Sequence, residues 1–137
     1  MRYALFDRQR DELILAARLL LMLLFVIYGW SKLTNFPGTV SYMAREGLPL
    51  PAASAVIAIV MELLVGLALM AGYYTRPLAL IPALYTLGTA FLGHHFWTTE
   101  GGERMAGAIN FYKNISITGG LLLLCATGPG KYSLDRR

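Results

Sequence analysis

The sequence predicts an all-α membrane protein: four transmembrane helices in an up-down-up-down bundle that forms one domain over residues 1–137. Three observations carry that prediction. Hydrophobic residues make up 56% of the chain and charged residues only 15%, a membrane balance rather than a soluble one. The apolar residues gather into four stretches of about 20 residues, the length a helix needs to cross ~30 Å of hydrocarbon. Short polar segments separate these stretches, so successive spans run antiparallel.

The first span covers about 13–32 and follows a charged segment, residues 1–12, that reads as a tail or a short surface helix. It is long for a signal peptide, and no small-x-small cleavage site follows Trp30, so it reads as retained. Residues 33–51 form a connection punctuated by Pro37-Gly38 and Pro49-Leu50-Pro51; between them, 39–47 suits a short helix at the outer interface. The second span, 52–72, ends at Gly72, a C-cap residue. A brief turn at 73–76 makes the second and third spans neighbours. The third, 77–97, opens on Pro77, and Pro82 lies deep enough to kink it. A polar, Gly-rich loop at 98–107 is expected to be mobile. The fourth span, 108–127, stops at Gly128-Pro129-Gly130, and Gly66, Gly88, Gly93, Gly119 and Gly120 allow close helix approach.

The net charge of +4 marks topology rather than a nucleic-acid partner. Arg2, Arg8, Arg10, Arg76, Lys131, Arg136 and Arg137 lie on the side of the termini, against Lys32, Arg45 and Arg104 on the other. The positive-inside rule then places both termini in the cytoplasm. Trp30, Phe96, Trp97, Phe111 and Tyr112 at one end, and Tyr73 and Tyr74 at the other, suit interfacial belts. A single cysteine, Cys125, excludes an intrachain disulfide.

Ionisable residues inside or at the ends of apolar spans point to a site, because a charge at the bilayer centre costs about 2.5–3.5 kcal/mol on insertion scales. Glu62 in the second span is the sharpest position, a proton-handling or ligand-orienting carboxylate with Lys113 or Arg18 as candidate cations. Its structural alternative is an ion pair that sets helix register. Asn110, Lys113 and Asn114 share one face of the fourth span. With His94 they form the candidate ligand-binding set around Glu62; Arg18, Lys32, Thr89 and His95 form a second tier. Lys32 and Arg18 also read as residues that snorkel to opposite surfaces. Adjacent His94 and His95 would point about 100° apart on a helix and cannot be opposite axial haem ligands, so no metal is assigned. No phosphate-binding glycine motif or nucleophile motif is present, and no catalytic residue is assigned.

Several of these residues carry a resemblance. Phe25-(x)3-Gly29-(x)2-Lys32, Glu62, Gly72-Tyr73-Tyr74-Thr75-Arg76 and the ending Gly128-Pro129-Gly130-Lys131-Tyr132-Ser133-Leu134-Asp135 resemble the DoxX family of small bacterial membrane proteins. Tyr85-Thr86-Leu87-Gly88-Thr89-Ala90, Gly93-His94-His95 and Asn110-Phe111-Tyr112-Lys113-Asn114-Ile115-Ser116 are similar to its inner-membrane members. The resemblance implies a bacterial inner-membrane protein, and the wider family is similar to the small membrane subunit of an archaeal thiosulfate:quinone oxidoreductase. The expected role is an accessory subunit whose polar intramembrane pocket takes a quinone or similar small molecule, beside a membrane or soluble redox partner. A second copy of the chain, in a homo-oligomer, is a further candidate partner; a proton-coupled transporter relaying through Glu62 and a purely structural partner protein are the alternative functions.

Overall fold

The computed structural model describes residues 5–135, all helix and connections with no strand among them. A 3-10 turn at Asp7–Gln9 leads into α1, Arg10–Thr34, whose first turn carries Asp11 and Glu12 against the helix dipole. Residues 10–12, expected in the tail, therefore already belong to the helix. The short helix α2 is Phe36–Arg45, with Pro37 in its first turn. Helix α3, Pro51–Ala71, contains one π turn at Val60–Leu64 and ends at Gly72 in the left-handed conformation (φ 71°). Helices α4, Thr75–Gly93, and α5, Gly101–Thr127, complete the chain.

Three segments, Asp7–Thr34, Pro51–Ala71 and Thr75–Thr98, are long and apolar enough to cross a membrane. At 27 residues α5 is long enough as well, but Asn110, Lys113 and Asn114 make it less apolar. It also starts two turns ahead of its apolar stretch, so most of the 98–107 loop is helix. Hydropathy marks what lipid covers, whereas a helix continues wherever its hydrogen bonds propagate. The end of α4 differs in the opposite sense. The helix stops at Gly93, and His94 (φ −132°, ψ 46°) and His95 (φ −76°, ψ 65°) are not helical. Their rings are thus not set by helical spacing; the chain bends there to reach α5 within a few residues.

Helices α1 and α3 run antiparallel: a Cβ on Gly29 would meet Leu63, Gly66 faces Phe25 and Val26, and Arg18 reaches Met70. Helices α4 and α5 pair likewise, through Thr89 with Asn114 at one end and Arg76 with Ala126 at the other. The core joins all four, through Met22 and Phe25, Leu69, Ala79 and Ala83, and Leu121 and Leu124. Large apolar side chains also point outward, Leu20 71%, Leu84 64% and Leu123 65% exposed, as a lipid-facing surface requires.

The end carrying the termini is closed by the segment 128–135. Arg18, only 2% exposed, donates to the Met70, Pro129 and Tyr132 carbonyls, tying α1 to the end of α3 and to this segment. The Asp135 carboxylate accepts from the Tyr74 and Thr75 amides at 2.7 Å each, capping α4. Arg76 donates to the Cys125 and Ala126 carbonyls, capping α5. The Lys131 amide donates to Asp11, and Tyr132 donates to Glu12 at 3.0 Å. Helix-end groups that lipid cannot solvate are thereby satisfied within the chain.

Arg18→Leu strips three carbonyls of their donor at once. The expected loss is about 2–4 kcal/mol of stability, read as a lowered Tm in detergent, with Arg18→Lys recovering only part. An unchanged Tm for Arg18→Leu would remove the residue from this role.

Candidate functional site

The opposite half of the molecule is built around the π turn in α3. A π turn adds a residue to one helical turn and re-aims the side chains within it. Here it carries Glu62, on the side where α1 presses closest. A Cβ on Gly29 would lie 2.6 Å from the Leu63 nitrogen and 3.0 Å from the Glu62 carbonyl carbon, so only glycine fits. One turn beyond Gly29, Lys32 donates to Glu62 Oε2 at 2.6 Å, and Tyr85 of α4 donates to Oε1 at 3.1 Å. Both carboxylate oxygens are engaged, and the two ion-pair side chains are 23% and 13% exposed. The Lys32 carbonyl is held by the Thr39 hydroxyl at the start of α2, and Thr39 also donates to the Asn35 carbonyl.

Above this triad lies a cavity of about 680 Å³. That size falls within the roughly 300–1,000 Å³ of small-molecule sites. Apolar walls come from Leu24, Phe25, Ile57, Ala58 and Ile117, and polar groups from Lys32, Glu62, Tyr85, His94, Lys113 and Asn114. Helix α2 roofs it with Tyr42, Met43 and the following Glu46. Partial burial first, and the Glu46 carboxylate second, push the Tyr42 phenol above its ordinary pKa, keeping it a neutral donor at the rim. Thr86 lines the wall with a buried hydroxyl that has no partner among the described residues. Tyr28, Ile57 and Leu92, 55%, 53% and 60% exposed, also line the cavity, so it opens sideways where lipid would lie.

Of the ligand-binding set read from the sequence, Glu62, His94, Lys113 and Asn114 line this cavity, together with Lys32 and Thr89 of the second tier. Asn110 stands behind them and accepts from the Lys113 ammonium at 3.0 Å. Asn114 is buried and donates to Thr89 at 3.2 Å, locking α5 to α4. His95 lies outside the lining and bonds Thr98, and Arg18 sits at the other end of the molecule. The cation for Glu62 is neither Lys113 nor Arg18 but Lys32, which turns inward rather than out to the surface. Helical side chains lean toward the N-terminus, so Lys32 reaches back along α1 to the level of the π turn. Tyr85 and the close approach at Gly29 went unread, since no spacing rule links residues on different helices. A polar Tyr-Thr pair within an apolar span was the available signal for Tyr85.

The family profile for DoxX matches residues 13–95 of this chain. The inner membrane protein YphA of Escherichia coli is 48% identical over 137 residues, covering 100% of this chain and 98% of YphA. A second protein of that organism, the inner membrane protein YqjF, is 43% identical over 129 residues, 92% of each chain. The ER-derived vesicles protein ERV29 of Saccharomyces cerevisiae is 24% identical over 131 residues, 96% of this chain but 35% of ERV29. No solved structure matches.

Gly29→Ala forces α1 away from the π turn and stretches the Lys32–Glu62 contact. A loss of about 1–3 kcal/mol is expected, by thermal unfolding in detergent. Gly88→Ala, where a Cβ would meet nothing within 4 Å, should leave Tm unchanged. Equal stability of the two variants would show that the close approach is not required.

Proposed function

This chain belongs to the DoxX family, and from that premise we propose a bacterial inner-membrane protein that binds a lipid-borne small molecule in its cavity. All four long helices, α5 included, span the bilayer up-down-up-down, and α2 lies at the outer interface. The polar residues that make α5 less apolar support this, because Asn114 bonds to Thr89 of α4 and Lys113 lines the cavity. Both termini are cytoplasmic. The basic residues supporting that orientation include Arg2, Arg136 and Arg137, which lie outside the described residues. Names of the 48% and 43% identical relatives support the inner-membrane location.

The observation that carries the ligand reading is an apolar, sideways-opening cavity with polar groups at two levels. Lys32 and Tyr85 are held by Glu62 at one level, and His94, Lys113 and Asn114 stand at the other. A quinone head group fits this pattern: a flat apolar ring with acceptor oxygens at opposite edges and a tail that leaves through the lipid-facing opening. Lys32 and Lys113 each give one hydrogen bond to the protein and retain ammonium protons for such acceptors. With both its oxygens occupied, Glu62 serves better as a fixed orienting group than as the relay of a proton-coupled transporter. The chain then acts as an accessory subunit, presenting the quinone to a redox partner protein.

Decylubiquinone binding to the purified protein tests the proposal. Gly88 lines the cavity and a Cβ there would meet nothing within 4 Å, so Gly88→Phe places a ring at its wall. It should weaken binding by about tenfold or more at unchanged Tm, and Glu62→Gln by about tenfold through loss of the Lys32 anchor. Absence of saturable binding to the wild type, or full binding by Gly88→Phe, would overturn the reading.

A further inference from the structure

A second concavity, of about 750 Å³ and shallow, runs along the outside of α5 next to the cavity; Phe96, Arg104, Ile109, Tyr112, Lys113 and Ser116 line it. Arg104, Ala108, Tyr112 and Ser116 follow at four-residue intervals, as do Met105, Ile109 and Lys113, so two adjacent ridges of one helix form the groove.

Its chemistry is one-sided. No lining residue is acidic, and neither cation pairs with a carboxylate among the described residues. The Arg104 guanidinium sits 5.9 Å from the Phe96 ring centroid, and the Lys113 ammonium donates to Asn110 one turn back along the helix. Lys113 therefore leans toward the end where Arg104 lies, as helix geometry dictates. Between and around the cations the surface is apolar and open, with Met105, Ile109 and Tyr112 69%, 63% and 59% exposed. Phe91, Phe96, Trp97, Phe111 and Tyr112 form a connected aromatic cluster at the same end, the composition of a membrane–water interface.

We propose that this groove binds an anionic phospholipid of the leaflet opposite the termini. The phosphate pairs with Arg104, the glycerol ester region lies at the Lys113 ammonium, which leans back to Asn110, and an acyl chain runs past Tyr112 and Ser116 toward the bilayer centre. A soluble anion would use the cations but leave the apolar ridges uncovered. A neutral lipid would cover the ridges but leave Arg104 without a counter-charge. An anionic phospholipid matches both features, and in their order along the helix.

The test reconstitutes the full chain in phosphatidylcholine nanodiscs with trace spin-labelled phosphatidylglycerol or phosphatidylcholine and compares the immobilised fractions. The wild type should hold phosphatidylglycerol several-fold better. Arg104→Gln should cut that preference about fivefold, the effect expected for one basic residue at a charged membrane surface. Arg104→Lys should restore most of it. Arg45→Gln removes an exposed cation from the same side of the molecule, outside the groove, and should change nothing. No preference in the wild type, or an equal fall in Arg104→Gln and Arg45→Gln, would overturn the proposal; the latter would reduce it to general surface charge. Arg104 does not line the cavity, so decylubiquinone binding in Arg104→Gln separates failure here from failure of the cavity reading.

Discussion

The half of this molecule that holds the cavity is arranged around one ion pair, Lys32 with Glu62, formed where water is scarce. Removing two charges from water costs several kcal/mol per ion, and mutual attraction recovers that only in tight geometry with the remaining hydrogen-bonding capacity filled. The 2.6 Å contact between Lys32 and Glu62 meets the first condition, and Tyr85 on the second carboxylate oxygen meets the other for Glu62, leaving Lys32 with protons to give. Both conditions need helices α1 and α3 almost in backbone contact, which the absence of a Cβ at Gly29 permits. The π turn supplies the rest by turning Glu62 toward α1 and α4 at once. Loss of one partner is consequently worse than loss of both, since the survivor would remain charged in an apolar surround.

The two ends of the molecule use polar groups in different ways. At the end bearing the termini, Arg18, Arg76 and Asp135 each make two or more hydrogen bonds to backbone, and the segment 128–135 plugs the space between helices. Little donor capacity remains there for a ligand. At the other end the helices line a cavity whose lysines each make a single hydrogen bond. A rigid base below a site with unspent donors is the arrangement that keeps a binding geometry precise.

Much of this was legible in the sequence, and the misses share a cause. Hydropathy located the apolar stretches, and the ionisable and amide side chains within them drew attention to Glu62, His94, Lys113 and Asn114, which the cavity brings together. Pairing across helices was not legible. Lys113 and Arg18 were the candidate cations for Glu62, whereas Lys32 takes the place because it leans back along its own helix. The helical placement of His94 and His95 failed because Gly93 ends α4 within the apolar stretch, where hydropathy registers no break. The early start of α5 was hidden for the converse reason, since a polar, Gly-rich turn can be helical once it projects beyond lipid.

Lys113 lines both the cavity and the groove, so the two proposed ligands are not independent. A phospholipid ester drawing the ammonium outward removes a donor from the cavity, and a cavity ligand drawing it inward weakens the grip on the lipid. Thermodynamic reciprocity makes the two penalties equal. Their size is bounded by one charge-assisted hydrogen bond, about 1.5–3 kcal/mol. Asn110, which holds the ammonium at 3.0 Å, sets the resting position from which either ligand must pull it. Two lipid-facing sites joined by one side chain would let the composition of the surrounding leaflet tune occupancy of the cavity without any movement of the helices.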